Sequence, residues 1–414
     1  MAAYMKLCKL VGFCRFSGVL IKLPQIQPSR KLSSFLIANT SRASNVCCGC
    51  QCHNRKQIHV PYQFSAYGGM PLSQNNRPLS TDTRSFPKET CSPEDLTRVE
   101  LATLHQDIIK ELQCDNKELQ EVSQYYFDGK GKAFRPMVVL LMARACNIHN
   151  NVNNGNLLSS QHRVSLIAEM IHTASLMHDD VIDAADTRRN KVAINEMWGQ
   201  KKAILGGDFV LSVSSQMLAR IGNEEVVLVL SQVIEDLVRG EFMQLGSKEN
   251  ENDRFSHYLQ KTYKKTASLM AQSCKAAAVL GECNAVECEI AYQYGRNIGM
   301  AFQLIDDVLD FVSSDATMGK PTSADLKLGL ATAPVLFASE KFPELNVMIL
   351  RRFNQPGDVE AARNAVAKTD GIEQTRYLAQ QHSEEAQRQI LQLKPSPERQ
   401  ALIELTNRVI TRVK

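Results

Sequence analysis

Apolar residues recur at helical spacing through nearly all of the chain that follows Ser92, and this periodicity restricts the fold more than any other feature of the sequence. Spacings of three and four residues place such side chains on one face of an α-helix, whereas a half-buried strand needs strict alternation. Stripes of this kind run through residues 135–147, 160–186, 202–221, 224–245, 255–281, 285–313 and 322–339. The sequence shows neither hairpin patterns nor βαβ spacing nor a phosphate-cradling glycine loop. The chain is therefore predicted to fold as an all-α bundle.

The folded domain is predicted to span residues 90–414. Its first helix begins at Ser92-Pro93-Glu94-Asp95, which combines an N-cap, a proline at the first helical position and a capping-box acid. One face of this helix is predicted to consist of Leu96, Val99, Leu104, Ile108 and Leu112.

Residues 1–85 are predicted to form a separate leader with the composition of a transit peptide. The chain has a formal net charge of +4, but ten of its 48 Lys and Arg residues lie in residues 1–81, which contain no Asp or Glu. The remaining 38 basic and 44 acidic side chains give a net charge of −6, which argues against binding to duplex nucleic acid. A secretory signal is the alternative, but Arg15 and Lys22 interrupt the apolar stretch. Import into the mitochondrial matrix is therefore predicted.

Half of the twelve cysteines lie in this leader, four of them in the cluster Cys47–Cys52 that precedes His53. Zinc binding is one interpretation of the cluster, but no second Cys or His pair follows at ligand spacing. Cys146, Cys274 and Cys288 stand singly among apolar residues. They are predicted to be buried thiols in a reducing compartment, without a disulfide framework.

One short aspartate motif occurs twice, each time inside an apolar helical segment. Asp179-Asp180-Val181-Ile182-Asp183 and Asp306-Asp307-Val308-Leu309-Asp310 both place two carboxylates at positions i and i+4, on one helix face. Like charges at this spacing repel each other unless a cation binds between them. Carboxylate oxygens suit Mg²⁺, which usually joins a few carboxylates to substrate phosphates. The alternative is that the acids are merely solvated, but two identical motifs in apolar surroundings favour a pair of sites for a diphosphate.

Basic residues are available to bind the remaining phosphate charge. The segment Gly131-Lys132-Ala133-Phe134-Arg135-Pro136 is predicted to start a helix, so its two basic side chains and the free amides would form an anion site. Arg188 and Arg189 follow the first aspartate motif closely. His172 lies two helical turns before Asp179 and could donate a hydrogen bond to the same pocket, although a satisfied core histidine is the alternative.

Both aspartate motifs, the Gly-Lys-x-x-Arg-Pro segment and their order in the chain resemble the trans-prenyltransferase family of isoprenoid diphosphate synthases over about residues 92–414. Residues 125–136 and 319–327 resemble subunit 1 of the branch that makes decaprenyl or solanesyl diphosphate. The resemblance implies a helical bundle around a central apolar tunnel and a Mg²⁺-dependent enzyme. This enzyme would repeatedly add isopentenyl diphosphate to an allylic diphosphate such as farnesyl diphosphate, for the ubiquinone side chain. It also implies a hetero-oligomer with a related, degenerate subunit 2 and at most peripheral membrane contact.

The resemblance assigns a role to each candidate site residue. It implies that six aspartates are catalytic, namely Asp179, Asp180, Asp183, Asp306, Asp307 and Asp310. Of these, it implies that Asp179, Asp183 and Asp306 are the metal ligands. It implies that the allylic diphosphate is bound by Arg188, Lys265, Thr266, Gln303 and Lys320. It implies that isopentenyl diphosphate is bound by Lys132, Arg135, His172 and Arg189.

Product length is predicted to depend on the residues five and four positions before Asp179, which are Ala174 and Ser175. Short-chain members of the family block this place with aromatic rings, so two small residues imply a long product. The chain departs from many members at Gly329-Leu330-Ala331-Thr332, where they carry Gly-Lys after the second motif. One phosphate contact is therefore missing or is supplied elsewhere, which leaves room for a partner subunit.

Two other functions are considered. A class I terpene cyclase shares the helical bundle and the first aspartate motif, but its second metal site normally mixes Asn, Ser or Thr with Glu. A catalytically silent scaffold that regulates a partner is disfavoured because both aspartate motifs are complete.

Overall fold

The computed structural model describes residues 92–129, 131–246, 251–312 and 323–412, and most of this part of the chain is α-helical. The helices are α1 Pro93–Glu111, α2 Lys117–Gln124, α3 Phe134–Asn150, α4 Ser159–Ile182, α5 Ile194–Trp198, α6 Gln200–Ala219, α7 Glu224–Leu245, α8 Glu251–Thr262, α9 Ser268–Leu280, α10 Ala285–Val312, α11 Ala324–Lys327, α12 Ala333–Lys341, α13 Leu345–Leu350, α14 Asp358–Ala367, α15 Gly371–Ile390 and α16 Pro397–Thr411. A 3₁₀ turn spans Val152–Gly155, and a π-helical turn, Tyr263–Ala267, joins α8 to α9. The predicted all-α fold is confirmed.

Helix α1 begins where the sequence predicts. Ser92 has extended backbone angles, its Oγ accepts a hydrogen bond from the Asp95 amide at 3.1 Å, and Pro93 is the first helical residue. Leu104, Ile108 and Leu112 are fully buried, as predicted. Val99 is instead 74% exposed, because it lies five residues before Leu104 and is out of phase with the i, i+4 stripe.

Two further helical segments differ from the predicted spans. Residues 255–281 run as one helical path but widen into the π-helical turn, Tyr263–Ala267. The described part of the predicted span 322–339, residues 323–339, is divided between α11 and α12, because Gly329 has φ +77° and Pro334 stands at the start of the next helix. Between α4 and α5, β1 Thr187–Arg188 pairs antiparallel with β2 Lys191–Val192, a hairpin that the sequence pattern did not reveal.

Helices α4 and α10 are buried over most of their length, which explains why their sequences are apolar almost all round. Helix α4 packs with α6, α7 and α9 around one core cluster, and α10 packs with α3, α9, α15 and α16 around another. The first aspartate motif ends α4, and the second lies in the last two turns of α10. The two motifs are therefore attached to helices that are buried over most of their length.

Glycines allow the helices around the π-helical turn to approach closely. A Cβ on Gly295 of α10 would lie 2.5 Å from the Met270 carbonyl oxygen, and one on Gly299 would lie 2.7 Å from the Cα of Ala267. On the other side, a Cβ on Gly240 of α7 would lie 2.8 Å from Cγ of Lys265. The π-helical turn is thus held between two helices that have no side chain at the contact.

None of the helices in the described ranges is both long enough and apolar enough to cross a lipid bilayer.

Candidate active site

Asp180, in the middle of the first motif, points into the protein and has no exposed surface. Its carboxylate accepts a hydrogen bond from Arg188 Nε at 2.7 Å and one from the Tyr126 hydroxyl at 2.6 Å. The Tyr126 oxygen in turn accepts a hydrogen bond from the Ile194 amide at 2.9 Å. Asp180 therefore positions Arg188 and the β-hairpin, and both of its oxygens are already engaged.

Asp179 and Asp183 are the first-motif residues that remain open to the site. The Asp179 carboxylate lies 4.0 Å from Lys265 Nζ, and its side chain is 27% exposed. Burial raises the pKa of Asp179 to about 6, with Glu241 and Asp183 adding to the rise and Lys265 opposing it. Burial also raises the pKa of Asp183. The positive charge near these two carboxylates is therefore too small to offset the effect of burial on their pKa.

The π-helical turn supplies the polar contacts that connect the two motifs. Lys265 Nζ lies 2.5 Å from Glu241 Oε2 and donates to Gln244 Oε1 at 3.2 Å. The next residue, Thr266, donates its hydroxyl to Gln303 Oε1 on α10 at 3.0 Å. Gln303 donates from Nε2 to Asp307 Oδ1 at 2.9 Å. The contacts thus run from the first motif through the π-helical turn to the second motif.

The second motif gives each of its aspartates a different neighbour. Asp306 accepts a hydrogen bond from Arg412 Nη2 at 2.7 Å and is half exposed. Asp307 is buried and accepts a hydrogen bond from the Tyr258 hydroxyl as well as from Gln303. Asp310 accepts hydrogen bonds from backbone amides of the α11 segment, among them that of Ala324 at 3.0 Å. As in the first motif, the middle aspartate is engaged inside the protein.

Two buried carboxylates outside the first motif also hold their protons more tightly than usual. Burial raises the pKa of Asp307 to about 6, against the effect of its Tyr258 and Gln303 hydrogen bonds. Burial raises the pKa of Asp325 to about 8, and the charges of Asp307 and Asp310 add to that rise. The second motif therefore concentrates negative charge in a poorly solvated place.

The predicted anion site at the start of α3 is lined by basic groups. Arg135 Nε is buried without a hydrogen-bond partner, and its guanidinium carbon lies 6.0 Å from the centre of the Phe302 ring. The Arg189 guanidinium lies beside Gly131, 3.2 Å from the position that a Cβ would take there. Burial, with Arg135 and Arg189 next in effect, holds the pKa of His172 well below its usual range. His172 is therefore neutral at pH 7 and can donate one hydrogen bond and accept another.

Arg412 joins this basic group from the C-terminal end of the chain. Its guanidinium carbon lies 3.9 Å from the centre of the Phe302 ring, over the same ring that Arg135 approaches. Its Nε is buried without a partner, like that of Arg135. Two unpartnered guanidinium donors around one aromatic ring fit an anion with several oxygens.

The carboxylates of the site fit a divalent cation that arrives with a phosphate ligand. Asp179, Asp183 and Glu241 present three carboxylates to the single ammonium of Lys265, and Glu241 Oε1 is buried without a hydrogen-bond partner. In the described residues, no three carboxylate, imidazole or thiol groups converge on a ready-made metal position. Mg²⁺ normally uses one or two carboxylates plus substrate oxygens, so this oxygen donor set suits it.

Most of the predicted site residues lie near one or other of these groups. Lys132 lies exposed before α3, close in sequence to Arg135. Ala174 is fully buried in the core cluster of α4, and Ser175 donates its hydroxyl to the His172 carbonyl at 2.8 Å. Lys320 lies outside the described residues.

Sequence reasoning missed several residues that contact the site. These are Glu241, Gln244, Tyr258, Asp325 and Arg412. Most are far in sequence from the motifs they contact, and none has a motif of its own. Asp325 lies in the segment 319–327, which resembles the family. Its closeness in sequence to the second motif is the one signal that could have indicated its place in the site.

Comparison with known proteins gives a consistent result. The family model described as polyprenyl synthetase matches residues 116–366. The all trans-polyprenyl-diphosphate synthase PDSS1 of Homo sapiens is 65% identical over 315 residues, which are 76% of each chain. Decaprenyl-diphosphate synthase subunit 1 of Schizosaccharomyces pombe is 44% identical over 343 residues, 77% of this chain and 91% of the relative. Several other relatives are named as mitochondrial.

Among solved structures, the chain resembles polyprenyl synthase from Caulobacter crescentus CB15 complexed with calcium and isoprenyl diphosphate. The TM-score is 0.70 at 28% sequence identity, and the match covers 79% of this chain and 100% of the other.

Proposed function

The chain belongs to the polyprenyl synthetase family and is an all-trans polyprenyl diphosphate synthase, and we propose that it makes decaprenyl or solanesyl diphosphate for the ubiquinone side chain. Its reaction is a prenyl transfer, in which isopentenyl diphosphate is added repeatedly to an allylic diphosphate such as farnesyl diphosphate. The observation that carries the site assignment is the line of contacts from Asp179 through Lys265, Thr266 and Gln303 to Asp307.

The allylic diphosphate binds between the two motifs in this proposal. Lys265 and Arg188 supply positive charge to its oxygens, while Thr266 and Gln303 supply neutral polar groups. Lys320 is proposed for the same site from the family resemblance alone. Mg²⁺, held by Asp179, Asp183 and Asp306, would stabilise the negative charge of the departing diphosphate. The calcium named with the Caulobacter crescentus protein supports a divalent cation in this family.

Isopentenyl diphosphate binds at the start of α3. Arg135, Arg189 and Lys132 provide cations there, and neutral His172 donates a hydrogen bond. When the diphosphate group leaves the allylic substrate, the carbon to which it was bonded becomes a carbocation that the bundle interior shields from water. The double bond of isopentenyl diphosphate attacks this carbon, and the released diphosphate takes the proton that is then lost. The protein therefore needs no dedicated base.

The hydrocarbon chain grows away from the first motif along α4. Ala174 and Ser175 are the residues that it passes first, and neither has a ring that would stop it. Their small size supports a long product.

We further propose that the protein acts in the mitochondrial matrix together with a second subunit. The basic leader and the relatives named as mitochondrial support this location. The relative named as subunit 1 supports a hetero-oligomer, and the missing Gly-Lys at residues 329–332 is the contact that a partner could replace. Residues 1–85 are proposed to be the import sequence.

Product analysis tests these proposals. The chain is incubated with farnesyl diphosphate, radiolabelled isopentenyl diphosphate and Mg²⁺, with and without a candidate subunit 2, and the dephosphorylated products are separated by length. Long polyprenyl products that appear only with the partner would establish a catalytic subunit of a hetero-oligomer, and activity of the chain alone would indicate a homo-oligomer. If no product formed under either condition, the result would favour a silent scaffold. The variant Asp179→Asn serves as the inactive control in every incubation.

A further inference from the structure

A cavity of about 90 Å³ lies beside the second aspartate motif, between α8 and the connection from α11 to α12. Among the described residues that line it, four are basic and none is Asp or Glu. The basic residues are Arg254, His257, Lys261 and Arg352. Positive groups around a cavity that has no carboxylate in its wall favour an anionic occupant.

Lys261, in the last turn of α8, carries a partly buried ammonium without a counter-ion. Lys265, four residues later, forms an ion pair with Glu241 at 2.5 Å. In the part of the chain that the structure describes, the Lys261 Nζ forms no such pair and donates no hydrogen bond. Its contact is with the ring of Tyr258, whose centre lies 5.6 Å away. The positive charge of Lys261 is therefore available to a ligand.

The cavity adjoins the groups to which the allylic diphosphate is assigned. Tyr258 lines it and donates its hydroxyl to Asp307 of the second motif. Gln244 lines it as well and accepts a hydrogen bond from Lys265 at 3.2 Å. Burial lowers the pKa of Lys261, and the negative charge of Asp307 opposes that effect. Two residues of the cavity wall are thus bonded directly to groups of the allylic diphosphate site.

Leu330 reaches the same cavity from the connection between α11 and α12. Its backbone amide donates to the Asp325 carbonyl at 2.9 Å, and the Asp325 amide donates to Asp310 of the second motif at 3.3 Å. The preceding Gly329 has φ +77°, and a Cβ there would lie 2.9 Å from the Cβ of Arg352. Backbone contacts therefore fix position 330 beside the second motif. The side chain there is apolar, where many family members carry the lysine of Gly-Lys.

We propose that Lys261 binds the allylic diphosphate and supplies the positive charge that Leu330 does not. Both side chains line one cavity, and the flexible four-carbon stem of a lysine lets the ammonium move from the Tyr258 ring to a diphosphate oxygen. Pairing with an anion then offsets the cost of burying the ammonium. This inference rests on the proposed function of the site. The phosphate contact comes from the same chain, so a partner subunit does not have to supply it.

A purely structural role for Lys261, as a counter-charge for the buried acids of the second motif, makes a different prediction. In that role, Lys261→Met would lower the thermal unfolding midpoint of the unliganded protein, because those acids would lose a stabilising charge. A ligand-binding role predicts an unchanged or higher midpoint, since the variant replaces an ammonium that has no hydrogen-bond partner with an apolar chain of similar length.

Kinetics and a direct binding measurement test the proposal on the full chain, with the candidate subunit 2 present in every sample. Lys261→Met should raise KM for farnesyl diphosphate by about 10- to 100-fold, the effect of one charge-assisted hydrogen bond, and should leave KM for isopentenyl diphosphate within about 2-fold. Calorimetry with Mg²⁺ and the unreactive analogue farnesyl thiodiphosphate should show a similar increase in Kd.

Two further variants make the test specific. The double variant Lys261→Met/Leu330→Lys should bring the Kd of farnesyl thiodiphosphate back to within about 3-fold of the parent value, because the charge returns to the same cavity. Lys327→Met is the matched control. It removes an exposed lysine of α11 and should leave the Kd and both KM values unchanged.

An unchanged Kd in Lys261→Met would overturn the proposal and would point to subunit 2 as the source of the contact. A loss of binding that Leu330→Lys does not restore, a lower unfolding midpoint of unliganded Lys261→Met, or no binding of the analogue by the parent would also overturn it. Failure of the proposed function shows separately, as a parent protein that forms no product. In that case the calorimetry still decides whether Lys261 binds the diphosphate.

Discussion

The two aspartate motifs share one sequence pattern but lie in different surroundings. In the first, the middle residue Asp180 is paired with the cation of Arg188, while Asp179 and Asp183 face the site with too little positive charge around them. In the second, the middle residue Asp307 has the neutral partners Tyr258 and Gln303. An identical motif therefore contains a buried ion pair in one helix and a buried, neutrally bonded carboxylate in the other, so the neighbours decide each role.

The residues before the motifs differ as well. Ala174 and Ser175 stand five and four positions before Asp179, and the equivalent positions before Asp306 are Ala301 and Phe302. Phe302 stacks on Phe134 and lies under Arg412, so its ring supports the anion site. Room for a growing hydrocarbon is thus expected beside α4 and not beside α10.

The largest expected effect is on catalysis. Asp179→Asn should lower kcat/KM by about 1000-fold or more, because it removes a ligand for the cation that stabilises the departing diphosphate. Initial rates measured over a range of Mg²⁺ concentrations check this prediction. Retention of near-normal kcat/KM in Asp179→Asn would show that the first motif does not hold the cation.

The second effect compares the two buried middle aspartates. Asp180→Asn should lower the free energy of unfolding by about 3 kcal/mol, because it leaves the partly buried Arg188 without its counter-charge. Asp307→Asn should lower it by only about 1 kcal/mol, since the asparagine oxygen still accepts from one of the two donors, Tyr258 or Gln303, and no charge loses its partner. Denaturant unfolding at pH 8 measures both. Equal losses in the two variants would contradict the difference in surroundings.

The third effect is the dependence of stability on pH. Since burial raises the pKa of Asp179 to about 6, the protonated carboxyl is favoured in the folded state. Its contribution to stability is complete below about pH 4, and it is lost as the pH rises through 6. Asp179→Asn cannot ionise, so above pH 7 it should be more stable than the parent by on the order of 1 to 2 kcal/mol.

Unfolding curves between pH 4 and pH 8 check this sign. The difference in free energy of unfolding between the parent and Asp179→Asn should widen up to about pH 6 and stay constant above pH 7. Added Mg²⁺ and inorganic pyrophosphate should stabilise the parent and leave the variant unchanged. If this difference in free energy of unfolding narrowed as the pH rises, nearby positive charge would be stabilising the Asp179 carboxylate in the folded protein.

The last comparison concerns product length. Ala174→Phe and Ala301→Phe both place a ring at a buried alanine five positions before a motif, and both should cost about 1 to 3 kcal/mol of stability through overpacking. Only Ala174→Phe should shorten the polyprenyl product. Chromatography of the dephosphorylated products of both variants makes the comparison, and an unchanged product length in Ala174→Phe would refute the chain-length assignment.

The sequence predicts the helices and the two acidic centres well, because both depend on local spacing. The start of α1 at Ser92-Pro93 and the i, i+4 pair Asp179 and Asp183 follow from three- and four-residue periods. The inward direction of Asp180 could not be predicted in this way. It depends on Tyr126, 54 residues earlier, and no local pattern encodes that contact.

Distance in sequence also explains the other residues that were missed. Arg412 reaches Asp306 across 106 residues, and Glu241 reaches Lys265 only because α7 packs on the π-helical turn. The sequence pattern puts Val99 on the buried face, although it is exposed, because one apolar residue fits several helical phases. In each case the packing of whole helices decides what a single side chain contacts.

The π-helical turn, Tyr263–Ala267, has a consequence for the tolerance of this segment to insertion and deletion. A π-helical turn holds about one residue more than an α-helical turn over the same rise. Removing one residue there would restore a regular helix but would rotate one flank by about 100° relative to the other. Either Lys265 and Thr266 would turn away from the motifs, or Ala267 and all of α9 would lose their fit against Gly295 and Gly299. The segment should therefore accept substitutions far more readily than a change of length.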